Sequence, residues 1–199
     1  PGIDKETNLS QEKEKISKSI TAILEALGED IDRPGLKSTP ERVADMYAYL
    51  FSGMTTDPKQ QFSTMTQEKP GGLVVVKDLP FNSLCEHHLL PFTGQATIAY
   101  VPNKLIAGVG AVAKAVETLS KRAQIQERLT SEIAGVLEDI LEPQGIGIVI
   151  EAEHLCMTIR GSRSIGSKVI TSYFNGILKD HSTYKEEFLS LIRKEKINE

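Results

Sequence analysis

Two short segments contain most of the side chains that could do chemistry. The first is Cys85-Glu86-His87-His88 and the second is His154-Leu155-Cys156. Both cysteines of the chain and three of its four histidines fall in these two segments. Thiolate and imidazole are the ligands that zinc prefers, and a Cys and a His three residues apart can both reach one ion from a single turn. The spacing therefore indicates a metal site.

The composition of this set favours a catalytic metal over a structural one. Cys85, His88 and Cys156 would supply three protein ligands and leave a fourth position for water. A zinc ion bound in this way lowers the pKa of its water to about 7 and supplies hydroxide at neutral pH. His87 and His154, not needed as ligands, could then move protons beside the metal.

Other interpretations of these residues remain open on the spacing alone. A free cysteine is most often a buried packing residue, so Cys85 and Cys156 could both belong to the core. They could also form a disulfide, although a chain with two cysteines does not resemble a disulfide-rich secreted protein. Adjacent histidines are often no more than polar surface residues.

Strands and helices must position these residues. Alternation of polar and apolar residues predicts a strand over 147–160, with His154, Cys156, Thr158 and Arg160 on one face. The pattern predicts further strands over 73–76, 94–101 and 168–178, helices over 111–122 and 125–141, and a closing helix over 182–194. Strand pairs flanking a helix pair indicate an α+β fold with an antiparallel sheet.

The first 70 residues have a helical pattern. One helix is predicted to begin after Ser10, as its N-cap, and to stop at Gly28; a second begins at Ser38-Thr39-Pro40. Residues 55–72 are polar and rich in Pro and Gly, which is typical of a linker. We therefore predict an N-terminal helical region over 1–70 and a catalytic domain over 71–199.

The charge composition of the chain disfavours some classes of binding partner. The 199-residue chain has a net charge of −4 and a pI near 5.7, which disfavours bulk affinity for nucleic acid or anionic membranes. An anionic ligand would need a local basic pocket. No apolar run approaches the roughly 18 residues of a membrane span, and the polar N-terminus does not resemble a secretory signal. We expect a cytoplasmic protein with neither a membrane nor a nucleic-acid partner.

Several motifs together resemble one known family. They are LCEHHLLPF, VPNK, QERLT and EAEHLCMTIRG, and in this order they are similar to the motifs of GTP cyclohydrolase I. The resemblance implies the tunnel fold (T-fold), in which antiparallel sheets and helix pairs from several subunits form a barrel, here with an N-terminal helical extension. It also implies a toroidal homodecamer with active sites between subunits.

The activity implied by this resemblance is zinc-dependent opening of the imidazole ring of GTP. The products would be formate and 7,8-dihydroneopterin triphosphate, a precursor of folate and other pterins. Cys85, His88 and Cys156 match the family's zinc ligands. His154 matches the histidine that acts on the purine, with protonation at N7 and attack at C8, and His87 matches the histidine of the later proton transfers and ribose opening.

Substrate contacts are implied as well. Gln126 and Glu127 match residues that recognise guanine, and a carboxylate can accept paired hydrogen bonds from N1–H and the 2-amino group. The other positions that we assign to the substrate site by resemblance are Arg42, Arg160, Lys114, Lys168 and Glu86. Without the family, Arg42 would be interpreted as a solvated helix residue and Glu127 as an exposed salt-bridging acid.

One segment departs from the family pattern. Gly110 stands where a serine is expected, Ala111 replaces a lysine associated with the triphosphate, and Lys114 replaces an arginine, which keeps the charge but loses the bidentate fork. Three hypotheses follow: an ordinary GTP cyclohydrolase I with a variant phosphate clamp, a paralogous purine-opening enzyme with another nucleotide substrate or a formamide product, and a non-catalytic regulatory or assembly homologue.

Overall fold

The computed structural model describes residues 5–66, 71–160 and 163–193. The chain forms two compact units that divide between Ser52 and Gly53. Helices combine with a mainly antiparallel sheet, so the predicted α+β class is confirmed. The functional division into 1–70 and 71–199 stays a prediction. In the described part of the chain, no helix has both the length and the apolar character needed to cross a bilayer.

The first unit contains two helices, α1 (Lys5–Ala26) and α2 (Thr39–Leu50). The first begins at Lys5, so Ser10 lies inside the helix and the prediction that it caps the start was wrong; the intervening polar residues are compatible with helix. Gly28 ends this region as predicted, with a φ of +83° and its N–H bonded to the carbonyl of Glu25. The start of α2 at Thr39 agrees with the prediction.

In its described residues, the second unit contains seven strands and five α-helices, besides a short 3₁₀ turn at Pro58–Gln61. The strands are β1 (Thr64–Thr66), β2 (Val74–Cys85), β3 (Pro91–Val101), β4 (Leu105–Ala107), β5 (Ala123–Gln124), β6 (Gly145–His154) and β7 (Val169–Gly176). The helices are α3 (Val109–Ser120), α4 (Gln126–Leu141), α5 (Leu155–Thr158), α6 (Ile177–Asp180) and α7 (Ser182–Arg193).

Five of these strands form the main sheet, in the order β5-β2-β3-β6-β7. All its neighbours are antiparallel except β2 and β5, which form a short parallel pair. Strands β1 and β4 form a separate antiparallel pair. The sheet places the ends of β2 and β6 close to the start of β3, and this corner contains both chemical segments.

The sheet has a large apolar core on one face and a smaller one on the other. Alternate residues of β3 and β6 pack with α3 and α4 in the main core, among them Phe92, Ile98, Ile148 and Ile150. The second cluster contains Ala99, Val101, Leu178 and Phe188, from strand β3 and helices α6 and α7. Residues of opposite parity on one strand therefore face different environments.

Strand β2 is longer than the predicted 73–76 segment and runs to Cys85. The pattern is interrupted at Asp78, where a φ of +56° and a register shift between Val76 and Leu79 indicate a bulge. The N–H of Asp78 donates to the Thr97 hydroxyl at 3.3 Å. The bulge allows the strand to continue past polar and proline residues to the first chemical segment.

Strand β6 is shorter than predicted and ends at His154. The last residue pair in its register with β3 is Phe92–His154, and β3 begins at Pro91, which has no N–H to donate. Beyond His154 the chain forms the short helix α5. The prediction that His154, Cys156 and Arg160 alternate along one strand face was therefore wrong.

Candidate metal centre

Cys85, His88 and Cys156 converge at the corner of the sheet. Cys85 is the last residue of β2, His88 lies in the turn that follows, and Cys156 lies in α5. Their ligand atoms, two Sγ and one imidazole nitrogen, all lie within 4.8 Å of one another. One strand end, the turn that follows it and the short helix α5 thus bring together the three residues that the sequence indicated as ligands.

The turn after β2 is closed by hydrogen bonds of Cys85. Its carbonyl accepts from the N–H of His88 at 3.3 Å and from that of Leu89 at 2.8 Å, and its own N–H donates to the carbonyl of Leu90 at 2.9 Å. Leu89 has a φ of +52°, in the left-handed region that a tight turn requires. This conformation places the His88 ring beside the Cys85 thiol.

The chemistry of the donors fits a single soft or borderline cation. Cys85 is buried, Cys156 is half-buried, and both are free thiols. Burial raises the pKa of the Cys156 thiol and the nearby Cys85 raises it further, while the charge of Arg160 acts in the opposite direction. A metal cation would remove the cost of placing two thiolates together, and three donors leave a position open for another ligand.

His154 lies beside this group, at the end of β6. Its ring stacks on Phe92, with centroids 4.7 Å apart and planes 5° from parallel. Its Nε2 lies 2.8 Å from Oε1 of Gln126. Burial lowers the pKa of His154, whereas the negative charge of Glu127 works to raise it. A half-buried imidazole with two partners of its own therefore lies two residues before the candidate ligand Cys156.

His87 also lies at the centre, but in a different environment. Its Nδ1 is 3.8 Å from the Cys85 sulfur, and its ring meets that of His88 edge to face at 6.3 Å. The side chain is exposed, in contrast to that of His154. The two histidines predicted to move protons thus differ in burial and in partners.

Glu86 is held by a residue that sequence reasoning missed. Arg128 forms a bidentate ion pair with it, with guanidinium–carboxylate distances of 2.6 and 3.2 Å. The N–H of Glu86 also donates to the carbonyl of Gln124 at 3.0 Å. The hydrogen bonds from Arg128 lower the pKa of Glu86. The turn that contains His87 and His88 is thereby tied to the start of α4.

The other predicted site residues are dispersed. Arg160 is exposed, and its charge acts on Cys156. The Lys168 amine is 2.6 Å from Glu151, whose parity on β6 places it on the sheet face opposite His154. Lys114 lies on the exposed side of α3, 3.9 Å from Glu117.

Three further positions concern the predicted binding of the triphosphate. Arg42 belongs to the first unit, where it is exposed in the first turn of α2. Ala111, which stands where the family pattern has a lysine, is buried in the first turn of α3 with 6% exposure. Gly110 beside it is exposed. The departing segment is therefore an ordinary helix start, with its small residue used for packing.

This fold and this centre define an α+β protein with a Cys–His–Cys group that could hold a metal ion and a histidine stacked on Phe92 close by in the chain. The family model described as GTP cyclohydrolase I matches residues 16–193. A GTP cyclohydrolase 1 of Streptococcus agalactiae serotype Ia is 54% identical over 183 residues, covering 92% of this chain and 98% of the relative.

Two other relatives lead to the same family. The GTP cyclohydrolase 1 of Bacillus subtilis strain 168 is 48% identical over 184 residues, covering 92% of this chain and 97% of its own length. That of Caldanaerobacter subterraneus subsp. tengcongensis is 50% identical over 182 residues, covering 91% and 97%. The chain belongs to the GTP cyclohydrolase I family and is an enzyme of that type.

Proposed function

We propose that this protein catalyses the zinc-dependent hydrolytic opening of the guanine imidazole ring of GTP, giving formate and 7,8-dihydroneopterin triphosphate. The observation that carries this proposal is the convergence of Cys85, His88 and Cys156 within 4.8 Å, next to the fixed ring of His154. The names of the relatives supply the substrate, GTP.

In this proposal Cys85, His88 and Cys156 hold the metal. Two thiolates and an imidazole suit zinc, whose catalytic sites keep three protein ligands and one open position. Zinc bound there would acidify a water molecule and so supply hydroxide at neutral pH. The turn hydrogen bonds of Cys85 and the Glu86–Arg128 ion pair keep the first two ligands in place.

The two remaining histidines of the centre move protons. We assign His154 to the transfer at purine N7 during attack on C8, and His87 to later transfers and ribose opening. Burial favours the neutral His154 ring in the free protein, while Glu127 works in the opposite direction and helps the ring to accept a proton. The exposed His87 ring has room to serve a second step.

Substrate binding divides between base and phosphates. Glu127 is exposed near His154 and can accept paired hydrogen bonds from the guanine N1–H and 2-amino group. Arg160, close enough to act on Cys156, is assigned to the triphosphate. The family resemblance assigns Arg42, Lys114, Lys168 and Glu86 to the substrate as well, whereas the Gln126 side chain that it also matches is bonded within the chain.

The positions of the lysines assigned to the phosphates support an active site that lies between subunits. Lys168 lies on the sheet face opposite His154, so within one chain its amine does not face the centre. A homo-oligomer with sites between subunits, a decamer in our proposal, lets one subunit complete the phosphate site of another. Lys114 on the exposed side of α3 fits the same arrangement. We place the enzyme in the cytoplasm, in folate and pterin synthesis.

Product identification tests this function. The zinc-loaded protein is incubated with GTP, formate release is followed, and the product is identified by mass spectrometry. Formate with dihydroneopterin triphosphate is the expected result, with Cys156→Ala as the metal-free control. A formamide product, or turnover only with another guanine nucleotide, would favour a paralogous activity. Zinc binding without any turnover would overturn the catalytic assignment.

A further inference from the structure

The side chain of Gln126 is buried at the start of α4, with an exposure of 1%. Its amide nitrogen lies 3.1 Å from the carbonyl oxygen of Ile150, 3.0 Å from that of Val169 and 3.1 Å from the hydroxyl of Thr171. Carbonyl oxygens can only accept hydrogen bonds, so this end of the amide must be the NH₂ group. The orientation of the amide is therefore fixed by the chemistry of its neighbours.

The other end of the amide meets His154. With the nitrogen assigned to the strand carbonyls, Oε1 is the atom 2.8 Å from His154 Nε2. An amide oxygen cannot donate, so Nε2 must carry the hydrogen of this bond. A neutral ring with its hydrogen on Nε2 has its lone pair on Nδ1. The imidazole also stacks on the Phe92 ring, which packs against one face of it.

We propose that Gln126 is a positioning residue that fixes His154 in the Nε2–H tautomer and leaves Nδ1 as the nitrogen that faces the substrate. Gln126 accepts the Nε2–H of His154 and so orients the ring without gaining or losing a hydrogen itself. The use of Nδ1 in catalysis rests on the proposed function, whereas the tautomer does not.

This assignment differs from direct recognition of guanine by Gln126. Both ends of the amide are already bonded within the chain, and the side chain is only 1% exposed, so it would have to leave these partners to reach the base. A buried carbonyl or imidazole N–H left without a partner costs more than an average hydrogen bond supplies. The exposed Glu127, one residue further on, has no such restriction.

The tautomer can be read by solid-state ¹⁵N NMR of zinc-loaded protein labelled at histidine, recorded where the His154 ring is neutral. The chain has four histidines, so the His154 signals can be assigned by their loss in His154→Ala. We expect a protonated Nε2 and an unprotonated Nδ1 in the wild type. The opposite pattern in the wild type would overturn the proposal, whatever the variants do.

Two variants separate positioning from packing. Gln126→Met keeps the length of the side chain but removes the acceptor, so we expect mixed tautomers and a loss in kcat of about 100-fold, with KM for GTP changed by no more than about threefold. Thr171→Val disturbs the same network, because the Thr171 hydroxyl contacts the Gln126 amide nitrogen and lies 2.7 Å from the Thr130 hydroxyl. This change does not remove the hydrogen bond between Gln126 Oε1 and His154 Nε2. It should keep the tautomer and kcat.

Different results would overturn the positioning role of Gln126 and the proposed function. A Gln126→Met variant with an unchanged Nε2–H signal, or with a raised KM and an unchanged kcat, would overturn the positioning role and favour contact with guanine. If the wild type does not turn over GTP, the proposed function fails, and the NMR pattern still decides the tautomer.

Discussion

The guanidinium of Arg128 donates hydrogen bonds to both carboxylate oxygens of Glu86, with N···O distances of 2.6 and 3.2 Å, although the two residues are 42 positions apart in the sequence. Glu86 lies between the candidate ligands Cys85 and His88, in a turn that is also closed by backbone hydrogen bonds. A bidentate guanidinium fixes direction as well as distance, so the pair orients the turn relative to α4. We therefore expect metal binding to depend on Arg128, which is neither a candidate ligand nor part of either chemical segment.

Removal of this guanidinium should weaken metal binding. In Arg128→Met the carboxylate of Glu86 loses its partner and the turn that contains His88 loosens. We expect zinc affinity to fall about tenfold, the lower end of the effect of residues that support a ligand shell. A competition titration with a chromophoric chelator measures it. Lys59→Met, which breaks the exposed ion pair with Asp139 on α4, is the matched control and should bind zinc normally. Wild-type affinity in Arg128→Met would contradict the role of the pair.

Glu127 should determine base recognition without affecting the metal. In Glu127→Gln one of the two charge-assisted acceptors becomes an NH₂ group that faces the donors of guanine. We expect kcat/KM for GTP to fall roughly 10- to 100-fold, as for the loss of one hydrogen bond to a charged group. Steady-state formate release gives this ratio, and zinc content should be unchanged. The exposed Glu142→Gln at the end of α4 should behave as wild type. A Glu127→Gln variant with normal kcat/KM would exclude Glu127 from guanine binding.

Gly94 should be intolerant of any side chain. A Cβ at this position would lie 2.0 Å from the Glu151 carbonyl oxygen and 2.6 Å from the Cα of Ala152, so β3 and β6 would have to separate. The free energy of unfolding of Gly94→Ala should fall by about 1–3 kcal/mol or more. Urea denaturation at fixed protein concentration measures the change.

The control for Gly94 lies in α4. A Cβ at Gly135 meets nothing within 4 Å, and Ala is the better helix former. Gly135→Ala should therefore raise stability by roughly 0.5–1 kcal/mol. Equal stabilities of the two variants would show that β3 and β6 are not as closely apposed as the structure has them.

The convergence of the ligand set could be predicted from sequence because its residues are rare and clustered. Cys85 and His88 share one turn, and a turn is local, so three-residue spacing alone brought them together. The approach of Cys156 required the family resemblance as well, since the strand predicted through residue 160 ends at His154. At that end β6 lies opposite the start of β3, where Pro91 has no N–H to donate, and a pattern along β6 cannot report this.

The polar network around the centre could not be predicted in the same way. Gln126 and Glu127 are adjacent polar residues at a helix start, yet one is buried and the other exposed. The partners that make Gln126 a buried residue are Ile150, Val169 and Thr171, which the fold brings from distant strands. Similarly, the pairing of Lys168 with Glu151 depends on the register of β6 and β7 and not on any motif.

The division between metal ligands and a proton-transfer residue can be tested by comparing metal content with ring opening in Cys156→Ala and His154→Ala. Zinc is measured by atomic emission and formate release is measured on the same samples. We expect Cys156→Ala to lose zinc and formate release together, whereas His154→Ala should retain zinc and lose formate release. A His154→Ala protein without zinc, or a Cys156→Ala protein that keeps both, would contradict the division between metal ligands and proton-transfer residue.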